Sequence, residues 1–116
     1  MLFTQSLRKN RQFRYLYSHG TSAANRLLAL YVQQGEKTEI NQLGITVSKK
    51  VGKAVIRNRV KRLIKENYRL LEPRVVRGYN IIIVARPVAG TLPREAAFSE
   101  IESALIHLLK KLNCLE

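Results

Sequence analysis

The segment that most restricts the fold of this chain is Tyr79–Ala85, with the sequence YNIIIVA. Residues 81–84 are all β-branched, and after Asn80 no polar residue interrupts the run. A strand that is apolar on both faces is typical of the middle of a sheet that is covered on both sides. Arg86-Pro87 then supplies a signal that ends the strand. The sequence therefore predicts a sheet built around this central strand.

Two other segments alternate in the manner of strands with one buried face. In residues 26–33 and 43–48 every second residue is a large aliphatic, and Tyr31 lies on the opposite face among small and polar residues. The polar stretch 34–41 between them contains one glycine and predicts a hairpin loop, so the two strands are expected to pair directly. The face that carries Tyr31 is then shallow and half open. The aliphatics expected on the buried face are Leu28, Leu30, Val32, Leu43, Ile45 and Val47.

Three segments have helical periodicity. The first is predicted over Leu7–His19, with Ser6 as its N-cap and Gly20 as its C-terminal stop. The second, residues 54–71, has the clearest apolar arc. The third, residues 93–112, begins at a proline, as many helices do. An aromatic and apolar stripe on the first helix comprises Phe13, Leu16 and Tyr17.

The elements therefore follow the order α-β-β-α-β-α. We expect an α/β (α+β) two-layer fold in which helices pack against a small central sheet. A chain of 116 residues is expected to form a single domain, residues 1–116. The general rule for parallel strands predicts a right-handed crossover between the second and third strands.

The charge of the chain points to an acidic partner. Lys and Arg number 21 against 8 acidic residues, which gives a formal charge of +13. Nucleic acid is the common partner of so basic a small protein, and an anionic membrane surface is the rival. No run approaches the roughly 18 apolar residues of a membrane span. The N-terminus is too poor in apolar residues for a signal peptide, so a cytoplasmic location is expected.

Residues that build catalytic centres or metal sites are scarce. All the acidic residues are Glu, and Asp is absent. His19 and His107 are far apart in sequence and have no neighbouring acid or Cys. Cys114 is the only cysteine, so no disulfide or zinc motif is indicated. We therefore expect no catalytic residue and no metal ligand in the protein itself.

The second helix and the turn before it hold most of the concentrated positive charge. Only Glu66 opposes the basic residues there, whereas an ordinary exposed helix mixes Glu with Lys. On a helical wheel the cations lie mainly opposite the apolar arc, which suits a row of RNA or DNA phosphates. Gly52 is expected to allow a sharp turn into this helix. The basic residues are Lys49, Lys50, Lys53, Arg57, Arg59, Lys61, Arg62, Lys65 and Arg69.

These residues carry a resemblance to a known family. The stretch VSKKVGKAVIRNRVKRLIKE, with Arg57-Asn58-Arg59 at its centre, resembles the signature of the ribonuclease P protein family. LRKNRQFRYLYSHGTSAANR resembles the first helix of that family and its exit, ALYV its first strand, and YNIIIVAR its last strand. The resemblance extends over nearly the whole chain.

The resemblance implies a non-catalytic subunit of a ribonucleoprotein that removes the 5′ leader of precursor tRNA. Its partners would be ribonuclease P RNA and precursor tRNA, with no protein partner required, and Mg²⁺ would be held by the catalytic RNA. It also implies a left-handed crossover, against the general rule. Contacts to the catalytic RNA would come from Lys49, Lys53, Arg57, Arg59, Lys61, Arg62 and Lys65. A cleft for the single-stranded leader would be lined by Phe13, Tyr17, Tyr31, Thr46, Lys50 and Asn58.

Three other functions remain open from composition. A general RNA- or DNA-binding module would show no selectivity for leader-bearing tRNA. A protein-only nuclease would need a cluster of carboxylates. A membrane-surface protein would need large apolar residues exposed beside its cations, whereas the apolar arc of this helix suits a core.

Overall fold

The computed structural model describes residues 1–116. One five-stranded sheet runs through it, and three helices pack on that sheet. None of these helices is both long enough and apolar enough to cross a membrane. The strands are β1 (Thr4–Ser6), β2 (Thr21–Ala24), β3 (Leu28–Gln34), β4 (Asn41–Thr46) and β5 (Tyr79–Ala85). The helices are α1 (Asn10–His19), α2 (Ala54–Leu71) and α3 (Arg94–Lys111).

The apolar strand β5 lies at the centre of the sheet, in the order β1-β4-β5-β3-β2. It pairs antiparallel with β3 and parallel with β4. The predicted direct hairpin between the two alternating strands is therefore wrong, because β5 lies between them. A strand that is apolar on both faces contributes most to stability where both faces are covered. This preference outweighs the tendency of strands that are neighbours in sequence to pair.

Helices cover both faces of the sheet. Ile81 and Ile83 face the main core, which also contains the apolar sides of α2 and α3. Ile82 faces the other way and packs with Leu16 of α1. The expected mixed α+β class, with helices around a small sheet, is confirmed, as is the burial of the central strand on both faces. The handedness of the β4–α2–β5 crossover remains a prediction.

The N-terminal region differs from the expectation. The predicted helix start and the Ser6 cap are wrong, because Ser6 ends β1 and the Leu7 amide donates to the Leu43 carbonyl at 2.9 Å. Leu7 is buried beneath α1. The helix begins only at Asn10, while its predicted end before Gly20 is confirmed. Strand β2 was also not predicted, because its sequence TSAA lacks the large residues that usually indicate a strand.

A buried carboxylate fixes the first strand. Glu72 follows α2, is 1% exposed, and accepts hydrogen bonds from the amides of Leu2 at 2.7 Å and Phe3 at 3.1 Å. Burial alone would raise the pKa of Glu72. The nearby Thr4 hydroxyl, the two amide hydrogen bonds and the positive charge of the N-terminus outweigh that effect, and the pKa is lowered overall. The ionised Glu72 therefore holds the N-terminal segment beside β4.

Glu72→Gln is expected to reduce the free energy of unfolding by about 1.5–3 kcal/mol at pH 7, because hydrogen bonds to a charged acceptor are weakened. A lowered pKa in the folded state stabilises the protein above the unfolded pKa of about 4.3, and this contribution is lost as pH falls through the folded value. Urea denaturation measures the difference in the free energy of unfolding between the native protein and Glu72→Gln. This difference should be smaller at pH 3 than at pH 7. Glu102→Gln, a half-buried acid on α3 without a salt bridge, is the control.

Candidate nucleic-acid interface

Helix α2 has one packed side and one cationic side. Its residues Val60 and Ile64 are buried in the main core, as the apolar arc predicted. Arg57 and Arg59 lie half-buried at the border between the two sides. The exposed cations of the helix are Lys61, Arg62, Lys65 and Arg69.

Almost none of this charge is neutralised within the protein. Arg69 forms a salt bridge with Glu66, in which Nε donates to the carboxylate at 3.1 Å. The other eight basic residues between Lys49 and Arg69 form no salt bridge. Such an array repels itself, so its charge is better explained by an anionic partner than by folding. These eight are Lys49, Lys50, Lys53, Arg57, Arg59, Lys61, Arg62 and Lys65.

One nitrogen atom of Arg57 also lacks a partner within the protein. Its Nε is buried and has no hydrogen-bond partner in the protein. A buried donor of this kind destabilises a protein by about 1–3 kcal/mol unless something accepts its hydrogen. A phosphate oxygen is a strong acceptor for guanidinium N–H groups. The structure shows no salt bridge and no hydrogen bond from the half-buried Arg57 side chain, so its positive charge has no partner within the protein.

The turn before α2 brings more cations to the start of that helix. Lys49–Val51 form a 3₁₀ turn, and Gly52 follows with φ +151°, as its predicted role in a sharp turn requires. No side chain caps the first turn of α2, and no acidic residue lies there. The first amides of the helix and the exposed Lys49, Lys50 and Lys53 thus share one positive region.

An aromatic cleft lies on the opposite face of the sheet, between α1 and the strands. The rings of Tyr17 and Tyr31 meet edge to face, with centroids 4.8 Å apart, and Phe13 lies 6.5 Å from Tyr17. The Tyr17 hydroxyl forms a hydrogen bond of 3.2 Å with the Thr46 hydroxyl. Tyr17 is 39% exposed, so part of this aromatic surface is open to solvent. These four side chains thus form one partly exposed group, which is called the aromatic cleft below.

Gly44 allows Phe13 to lie against the sheet. A Cβ atom at Gly44 would lie 2.5 Å from Cζ of Phe13 and 2.6 Å from its Cε1. No side chain can occupy this position while the ring stays in place. The bare backbone of β4 is thus part of the cleft floor.

Gly44→Ala is expected to displace Phe13 and to reduce the free energy of unfolding by about 1–3 kcal/mol, as overpacking commonly does. Urea denaturation measures this loss. In a protein that also carries Phe13→Ala, the change Gly44→Ala should reduce the free energy of unfolding much less, because the ring that the methyl group would meet is absent. Strictly additive effects in this double-mutant cycle would contradict the contact.

A cavity of about 580 Å³ joins the aromatic cleft to the cationic helix. Phe13 and Gly44 line it from the cleft side, and Lys61 and Lys65 line it from α2. Arg8, in the segment between β1 and α1, completes its positive lining. A ligand that fills this cavity would touch both surfaces at once.

Some predicted residues are not brought into contact with the cleft. Lys50 and Asn58 are exposed, and the structure shows no side-chain hydrogen bond from either to the aromatic group. Their role in the cleft therefore remains a prediction. Sequence reasoning overlooked Arg8, Leu7 and the floor position Gly44, because their places depend on β1 and on a side-chain clash that no local pattern reveals.

Groups suited to protein-based catalysis are sparse in the structure. No cluster of three or more His, Cys, Asp and Glu side chains is placed to hold a metal ion. Burial raises the pKa of the Cys114 thiol to about 11, so this thiol is protonated at neutral pH and is a poor nucleophile. The chemistry that the surface offers is that of cations and aromatic rings.

These features define a class of protein: a small, strongly basic α+β domain with a cationic helix on one side of its sheet and an aromatic cleft on the other. Comparison with known proteins narrows that class. The chain belongs to the ribonuclease P protein family, since the family model described as Ribonuclease P matches residues 1–113.

Individual relatives agree with this assignment. The chain is 52% identical over 106 residues to the ribonuclease P protein component of Clostridium botulinum (strain Langeland / NCTC 10281 / Type F), covering 90% of this chain and 91% of that protein. It is 44% identical to the same component of Alkaliphilus metalliredigens (strain QYMF), covering 99% of both. Among solved structures, the Staphylococcus aureus RNase P protein matches with a TM-score of 0.84 at 33% identity, covering 96% and 97% of the two chains. The Thermotoga maritima protein matches with a TM-score of 0.82 at 27% identity, covering 92% and 96%.

Proposed function

We propose that this chain is the protein subunit of a bacterial ribonuclease P, a ribonucleoprotein endoribonuclease that removes the 5′ leader of precursor tRNA. In this proposal the RNA subunit carries out the hydrolysis and holds the Mg²⁺ that it needs. The protein acts as a single RNA-binding domain in the cytoplasm, needs no protein partner, and contributes binding surface for two RNAs.

The catalytic RNA is assigned to the cationic side of α2 and the turn before it. Seven cations that form no salt bridge support this assignment, among them Arg57, whose side chain has no acceptor in the protein. Phosphate contacts by Lys and Arg release counterions, which gives affinity without sequence preference. The residues proposed for this contact are Lys49, Lys53, Arg57, Arg59, Lys61, Arg62 and Lys65.

The single-stranded leader is assigned to the aromatic cleft. Exposed aromatic rings stack on unpaired bases, at about 1–3 kcal/mol for each base. Mature tRNA has lost the leader, so the cleft would favour precursor over product. The residues proposed for this cleft are Phe13, Tyr17, Tyr31, Thr46, Lys50 and Asn58.

The cavity shared by Phe13, Gly44, Lys61 and Lys65 is the observation that best supports this function. A surface for the leader and a surface for the catalytic RNA are most useful where the two RNAs meet. The positive charge there would also reduce the repulsion between them. The complex should therefore need less Mg²⁺ than the catalytic RNA alone.

A series of precursor tRNAs with leaders of increasing length tests this function. The reconstituted complex should bind them more tightly as the leader grows, until the cleft is filled, and the catalytic RNA alone should show little of this gain. Equal affinity for precursor and mature tRNA at every leader length would reject the cleft assignment. It would favour a general RNA-binding protein.

A further inference from the structure

Helix α1 divides the sheet face beneath it into two halves. The aromatic cleft occupies one half. The other half contains a separate cavity of about 680 Å³, which is lined by none of the residues assigned to the leader or to the catalytic RNA. We call this second cavity the amide pocket, because Gln33, Gln42 and Asn80 form its floor.

These three amides lie side by side. The strand register pairs Gln42 of β4 with Asn80 of β5, and Asn80 with Gln33 of β3. Residues paired in register point to the same face of a sheet, about 5 Å apart at Cβ. The three side chains thus form one row across three strands, on the face that α1 leaves open.

The amides of this row are left without partners in the protein. All three residues are half-buried, yet the structure shows no hydrogen bond from their side chains to another protein group. Each amide offers an acceptor oxygen beside two donor hydrogens. Amides that only helped solubility would be expected in the open, and structural amides would be expected to pair, as buried Asn41 does with the Val76 carbonyl at 3.1 Å.

Cations and an aromatic ring surround the row. Arg11 and Lys37 line the pocket, are exposed, and form no salt bridge, while Glu36 is the only acid there. Tyr15 is 55% exposed at the pocket rim and stacks on His19 with a centroid distance of 4.3 Å. The pocket therefore combines donors and acceptors for a base edge with positive charge for a phosphate.

We propose that the amide pocket binds one unpaired nucleotide of RNA and reads the edge of its base through Gln33, Gln42 and Asn80, with Arg11 or Lys37 at the adjoining phosphate. This inference rests on the proposed function, because it takes RNA as the ligand. Bidentate contacts from Asn or Gln to a base edge discriminate between bases by about fivefold or more. The nucleotide comes either from the leader or from the catalytic RNA, and the two sources give different results below.

The test compares the native complex with one that contains the double variant Gln33→Met with Gln42→Met. This change keeps side-chain length and removes two of the three amides. Asn10→Leu is the matched control, because it also removes an amide of similar size, and the exposed Asn10 lines neither this pocket nor the cavity beside Lys61 and Lys65. Affinities are measured for the catalytic RNA, and for precursor tRNAs that carry A, G, C or U at each leader position in turn. Thermal unfolding checks the fold, and Gln33→Glu alone replaces the double variant if that protein does not fold.

Two results support the proposal. If the nucleotide belongs to the leader, the native complex prefers one base at one leader position by at least about fivefold, and the double variant loses that preference while Asn10→Leu keeps it. If the nucleotide belongs to the catalytic RNA, the double variant binds that RNA at least about fivefold more weakly. The slope of log affinity against log salt is then unchanged. If the double variant keeps both the base preference and the affinity for the catalytic RNA, the proposal for the amide pocket is overturned, and the proposed function is unaffected. Absence of leader-dependent binding by the native complex would instead reject the proposed function.

Discussion

Replacing Arg57 and Arg59 together by Ala is expected to weaken assembly with the catalytic RNA by roughly a hundredfold, because each loses charge-assisted hydrogen bonds to phosphate. The plot of log affinity against log salt should also become less steep by about two, one for each phosphate contact. Both arginines border the cationic side of α2, and neither has a carboxylate partner to lose. A titration of the RNA with labelled protein at several salt concentrations measures both quantities.

The matched control removes the same number of charges elsewhere. Arg26→Ala with Arg77→Ala deletes two arginines that pair with Glu100 and Glu39, away from α2. This variant should lose little affinity and keep its salt slope. Equal losses in both double variants would mean that only net charge matters, and the assignment of α2 as a specific RNA-binding surface would be rejected.

Phe13→Ala with Tyr31→Ala is expected to remove most of the preference for precursor over mature tRNA. Two stacked bases contribute at least about 2 kcal/mol to the binding free energy of precursor tRNA, so affinity for precursor should fall by roughly thirtyfold or more. Affinity for mature tRNA should change little, because it has no leader to stack. The ratio of the two affinities in the reconstituted complex is the measurement.

The loss must be separated from general damage to the fold. Phe13 and Tyr31 pack beside a small cluster of Leu7, Leu16 and Ile82, so their truncation also destabilises the protein. Phe98→Ala is the control, because it truncates a half-buried aromatic of α3 that is not part of the cleft. An unchanged precursor preference in a folded cleft variant would contradict the leader assignment.

The main elements of the fold could be predicted because their signals are local. The bounds of α2 and β5 follow from an apolar arc and from a β-branched run, and the structure has both as predicted. The pairing of the strands could not be derived in the same way. Whether β3 pairs with β4 or with β5 depends on which strand gains most from burial on both faces, and this is a property of the whole core. The short β1 depends on Glu72, about 70 residues away in sequence, so no local pattern indicates it.

The candidate site also has one part that could be predicted from local patterns and one part that could not. The cations of α2 could be predicted, because helical spacing alone places them opposite the apolar arc. Tyr31 could be placed on the open face by strand alternation, and the structure sets it beside Tyr17. The contact between Phe13 and Gly44, and the cavity that joins the cleft to Lys61 and Lys65, depend on how α1 crosses the sheet. Neither follows from residue spacing.

Cleavage of precursor tRNA at low Mg²⁺ by the purified protein mixed with a bacterial ribonuclease P RNA tests the central claim most directly. Each component alone is the control. We predict efficient cleavage at the leader junction by the mixture, much weaker cleavage by the RNA alone, and none by the protein alone. No stimulation with any of several bacterial ribonuclease P RNAs, or cleavage by the protein alone, would contradict its role as a non-catalytic RNA-binding subunit.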